Sequence, residues 1–182
     1  DSKEYDLALK EFSAAVKASP NDPVAHMMLG VAYYWTGQVD LSLTEYHRSL
    51  ELDASSAQAN MLIGISLAWK GDVSGAYEAF KKAAGMDPAR ADIQMNLGSV
   101  EETLGMIPEA MEHFRKSVSL DDENPLYHFQ LGMLYRKLGR DQDAIEAIQQ
   151  ALKHFSQFED ALLELGAAQE RRGDPKAAIH SF

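Results

Sequence analysis

An all-α solenoid, built of helical hairpins stacked one on the next, is the fold class that this 182-residue sequence predicts. Three observations carry it. Glycine returns every 34 residues in two registers, at Gly30, Gly64, Gly98, Gly132 and Gly166 and at Gly37, Gly71, Gly105, Gly139 and Gly173, with no insertion anywhere. Rows of apolar and small residues keep the same step: Leu29, Ile63, Leu97, Leu131 and Leu165; Ala8, Ser42, Ala76, Ala110, Ala144 and Ala178; Phe12, Tyr46, Phe80, Phe114, Ile148 and Phe182; Ala15, Ser49, Ala83, Ser117 and Ala151. A unit of that length cannot bury an apolar face alone, so neighbouring units must share a continuous core. The third observation is composition: 46% apolar and 25% charged residues, without an apolar run near ~20 residues, describe a soluble helical chain.

The elements follow from where the glycines fall. Residues 1–22 supply a partial repeat, the second helix (B) of a hairpin, closed by Pro20. Repeat 23–56 opens with Asp22 as N-cap and Pro23 at the first helical position, where the missing N–H would have no partner anyway. Its helix A is expected over 23–36 and its helix B over 40–53. Gly37 lies just past helix A, where the chain needs a left-handed backbone that glycine adopts cheaply. Gly30, inside helix A, costs about 1 kcal/mol against alanine, and so implies that helix B comes unusually close. Repeats 57–90, 91–124 and 125–158 restate the pair. Pro88 closes one B helix, and Asn124 before Pro125 restates the N-cap. Ala54, Asp122 and Ser156 stand where the closing proline is missing, and Phe155 and Phe158 at the last junction are expected to wedge between repeats. Residues 159–182 form a truncated repeat. The result is one domain over 1–182 with five A helices and parts of six B helices. It lacks an initiating Met and dedicated terminal caps, so the natural protein is expected to extend further, or its ends to pack on another copy.

Charge and chemistry narrow the function. A net charge of -11 works against nucleic acid, whose phosphates require clustered Lys and Arg. No membrane span or signal peptide is visible. The absence of cysteine removes disulfide and thiolate chemistry and leaves both cytoplasm, the favoured compartment, and periplasm open. His26, His47, His113, His128, His154 and His180 include no pair at metal-ligand spacing, and no phosphate loop or nucleophile signature occurs. No metal, cofactor or enzymatic activity is expected.

These residue classes at this spacing resemble the tetratricopeptide repeat family from end to end of the chain. The resemblance implies a right-handed superhelix whose inner surface is lined by helix A places two, five, nine, twelve and thirteen. Carried over by position, these are Val24, Gln58 and Asp92; Met27, Met61, Met95 and Phe129; Val31, Ile65, Ser99 and Met133; Tyr34, Glu102 and Arg136; and Trp35 and Trp69. The implied wall is apolar toward the N-terminus and charged toward the C-terminus. Met27, Met61 and Met95 lie two residues before the Leu29 row, roughly 200° around the helix, and so are expected to face the open groove. An exposed patch of Met and Trp seldom stands on a monomer without a partner. The chain therefore reads as a scaffold that binds a peptide or helix of a partner protein, with basic partner residues reaching Asp92, Glu102, Asp160 or Glu170. Two family ligand modes are absent. The two-carboxylate clamp would need Lys and Asn where Met27 and Val31 stand, and the asparagine ladder is replaced by Met28, Leu62, Asn96, Gln130 and Glu164. The alternatives are a self-assembling structural array, a homo-oligomer, and the targeting arm of a larger enzyme.

Overall fold

The computed structural model describes residues 2–173, so that Ala178, His180 and Phe182 of the sequence pattern lie outside the described residues. Among these residues there are ten helices: α1 (Ser2–Ala18), α2 (Pro23–Trp35), α3 (Val39–Leu52), α4 (Ala57–Trp69), α5 (Val73–Met86), α6 (Ala91–Thr103), α7 (Ile107–Leu120), α8 (Pro125–Lys137), α9 (Asp141–His154) and α10 (Glu159–Arg171). The hairpins of the four full repeats are present, each of their B helices starting a residue earlier than the spacing suggested, while the B helix expected in the truncated repeat lies outside the described residues. The helices gather into two compact units, Asp1–Pro88 and Ala89–Phe182.

In the first unit α2 pairs with α3 and α4 with α5, while α1 lies on α2 and α3 on α4. The helix starts are fixed by side chains that accept the otherwise orphaned backbone N–H groups. Asp22 Oδ1 accepts from Val24 at 2.9 Å, Ser56 Oγ from Ala59 at 3.1 Å and Asp72 Oδ1 from Gly75 at 2.9 Å. Gly37 ends the first A helix at φ +77°, in the left-handed region. Gly30 has the packing reason that its position demanded: a Cβ there would stand 2.5 Å from the Tyr46 ring and 3.1 Å from the Ser42 carbonyl oxygen. Helix α3 thus lies against α2 at a distance that only hydrogen allows. The periodic rows form the core, with Leu29, Ser42, Tyr46, Ser49, Ile63, Ala76, Phe80 and Ala83 all buried.

The second unit restates this plan with α6 on α7 and α8 on α9, α7 against α8 and α10 against α9. Ala110, Phe114, Leu131, Leu134, Tyr135, Ala144 and Ala147 form one cluster. Ile145, Ile148, Ala161, Leu165 and Ala168 form another, with Phe129 and Phe158 packed against it. The two phenylalanines of the last junction part company: the Phe158 ring lies 4.7 Å from that of Phe129, whereas Phe155 stays 49% exposed. Only Phe158 acts as the expected wedge.

Candidate functional site

In the first unit the two most exposed of the large apolar side chains are tryptophans. Trp35 ends α2 and Trp69 ends α4, and they are 59% and 72% exposed. Tyr34 stands between them, its ring at 80° to Trp35 (5.6 Å between centroids) and at 71° to Trp69 (6.4 Å). Tyr5 of α1 stacks on the other side of Trp35, 6.0 Å away and within 7° of parallel. Beside these rings lies an apolar recess of about 260 Å³ lined by Val31, Tyr34, Trp35, Tyr46, Leu62 and Ile65. A second recess of about 210 Å³ is lined by Tyr34, Trp35, Gly37 and Trp69. Burial pushes the Tyr46 phenol well above its ordinary range, with Tyr34 adding to the shift, so this residue stays neutral at any physiological pH.

The methionines are where the sequence reading needs correction. Met61 is buried at 6% exposure, Met27 is half-buried against the Tyr46, Ile63 and Ala79 cluster, and Met95 packs against Ala110 and Phe114 and their neighbours. Pointing away from the Leu29 row does not lead to solvent, because the A helices also meet one another: α2 touches α4 and α6 touches α8. At the fifth place Met27 packs on a cluster that includes Ile63 of α4 and Met61 is buried, whereas Leu163 is 56% exposed. Among the expected groove residues of the first unit, the exposed ones are Trp35 and Trp69 at the thirteenth place and Val24, which is 54% exposed. Gln58, Val31 and Ile65 are half-buried. Tyr5, Leu62 and Tyr46 were missed. Leu62 holds the sixth place and Tyr46 the large apolar row of helix B, while Tyr5 occupies the first turn of a B helix, outside the A-helix positions considered.

The second unit presents charge at the same places, and several of these charges are already paired. Lys137 Nζ donates to Glu102 Oε1 at 3.0 Å, Arg136 pairs with Glu164, and Arg90 Nε donates to Asp92 at 3.0 Å. Asp92 and Glu102 therefore do not stand waiting for a basic partner. Ser99 turns its hydroxyl back on the Met95 carbonyl at 3.0 Å, while Met133 and Phe129 are half-buried. A shallow recess of about 360 Å³ on α8 and α9 mixes His128, Leu131 and Tyr135 with Asp143, Glu146 and Gln150. Three of the histidines hold structural positions. His26 lies 2.6 Å from Glu45 and 3.0 Å from the Pro20 carbonyl, His113 lies 2.6 Å from Glu101, and His128 donates to the Asp122 carbonyl at 2.8 Å. Among the described residues no three His, Asp or Glu converge as a metal site, and no helix is long and apolar enough to cross a membrane.

Models of the tetratricopeptide repeat family match residues 1–64, 61–125 and 125–158. The chain belongs to that family. Its tetratricopeptide repeats take up the α-solenoid fold shared by solved structures of low sequence identity. YrrB, described as a tetratricopeptide repeat protein with an unusual peptide-binding site, is 21% identical with a TM-score of 0.75 over 96% of this chain and 90% of its own. PilF of Pseudomonas aeruginosa is 21% identical with a TM-score of 0.87, covering 99% and 82%. PilW, a type IV pilus biogenesis factor, is 19% identical with a TM-score of 0.88, covering 99% and 84%. No curated protein matches the sequence.

Proposed function

We propose that this tetratricopeptide repeat protein is a non-enzymatic scaffold that recruits a partner protein by holding an amphipathic helix or extended apolar segment against the aromatic wall of its first unit. One observation carries this reading. Two tryptophans stand more than half exposed, Trp35 lining an apolar recess of about 260 Å³ and both lining a second of about 210 Å³, a combination of large anchors and adjoining pockets that suits a buried side chain of a partner. The peptide-binding site for which YrrB is described supports the same use of the fold. Val31, Tyr34, Trp35, Leu62, Ile65 and Trp69 are the proposed contacts, with Val24 and Gln58 at their edge. Met27 and Met61 belong to the packing of the first unit and Met95 to that of the second, so none of the three is a proposed contact.

Proximity labelling with wild type and with a Trp35→Ala, Trp69→Ala double variant tests the proposal. Both residues are surface residues, so the variant is expected to keep its thermal midpoint within a few degrees. Prey lost by the variant are ligands of the wall, and identical prey from both proteins would overturn the reading. Losing one such anchor is expected to cost about 2 kcal/mol of binding, roughly thirtyfold in affinity.

A further inference from the structure

We infer that the wall reads a cationic side chain, an arginine or lysine of the partner segment seated among the rings of Tyr34, Trp35 and Trp69; this deepens the docking reading above and rests on it. The ring geometry comes first. Tyr34 meets both indoles nearly at right angles, so the recess of about 210 Å³ that they share with Gly37 is walled by aromatic rings in different planes. The faces of such rings carry the negative part of the quadrupole, and a recess bounded by several rings suits a positive group on an apolar stem. Tyr5, stacked on Trp35, holds that indole in place before any ligand arrives. Gly37 keeps one side clear: its φ of +77° disfavours every residue with a side chain, and nothing lies within 4 Å of where a Cβ would be.

Charge selects the same occupant. The chain carries -11 overall, a field that draws basic segments and repels acidic ones. Asp6 is exposed next to Tyr5, whereas the nearby Asp40 is already paired with Lys70. Elsewhere the molecule uses aromatic faces in this way with its own cations: Arg140 lies 4.5 Å over the Tyr135 ring and Lys81 5.4 Å over Tyr77. The larger recess, which shares Tyr34 and Trp35, then receives an apolar neighbour of the cation.

A displayed library of random dodecapeptides, selected on the wild-type protein and counter-selected on the Trp35→Ala, Trp69→Ala variant, tests this without a known ligand. The expected sequences carry Arg or Lys beside a large apolar residue. In a synthetic peptide of the selected class, replacing that arginine by citrulline, which keeps the shape and removes the charge, is expected to weaken binding about tenfold by calorimetry. On a Trp69→Leu variant the arginine and citrulline peptides are expected to bind alike. Trp-dependent sequences with no excess of cations, or equal affinity of the two peptides for the wild type, would overturn the cation reading and leave docking intact. A library that yields no Trp-dependent sequence would bring down both.

Discussion

An alanine at Gly30 would place its methyl carbon inside the van der Waals shell of the Tyr46 ring, so the gain in helix propensity is outweighed by overpacking. Gly30→Ala is expected to lose about 1–2 kcal/mol in urea unfolding. Gly37→Ala has free space around it and is strained only by its positive φ, so it should lose about 1 kcal/mol. A Gly30→Ala protein as stable as the wild type would mean that the two helices separate freely. Glu101 offers a test of a different kind. It is 2% exposed, and burial lifts its carboxyl above the usual range against the pull of His113, 2.6 Å away. A carboxyl raised in the folded state contributes stability below its unfolded pKa and loses it as pH climbs through the folded value. Glu101→Gln should therefore gain on the wild type in thermal midpoint as pH rises from about 4.3. A difference that does not vary with pH would remove burial as the cause.

At the scale of the helix, one slot is used in two chemistries. At two of the repeats the thirteenth place meets the start of the preceding B helix. In the first unit Trp35 stacks on Tyr5 there, and in the second Arg171 pairs with Asp141 at 3.1 Å. The pair is partly exposed and so is worth little to stability. The combined change Asp141→Tyr, Arg171→Trp is accordingly expected to leave urea stability within about 1 kcal/mol of the wild type. A larger loss would show that the slot is not interchangeable. Asp22→Ala removes the cap that receives the Val24 N–H and is expected to cost about 1 kcal/mol. The same scale shows what was legible in the sequence. Every hairpin was, because glycine rows, small-residue rows and caps act locally and recur at one interval. The methionine row was misplaced because its environment is set by the next A helix, a contact with no marker of its own. Angle around a helix says which way a side chain leaves, not what it meets.

For the molecule as a whole, repeat arrays hold together through neighbour contacts, so the helices at the edges of the array have fewer partners and should open first. Amide exchange is expected to be faster in α1 than in α3, and the reverse order would contradict a nearest-neighbour account. The exposed rings also bear on association. Sedimentation at tens of micromolar is expected to show a monomer, and a dimer abolished by Trp35→Ala would reassign the wall to self-assembly. Trp35 and Trp69 are the two tryptophans of the whole chain, and both stand more than half exposed on the proposed contact surface. The native tryptophan emission of the protein thus originates at that surface, and a blue shift or quench on mixing reports occupancy without any attached dye.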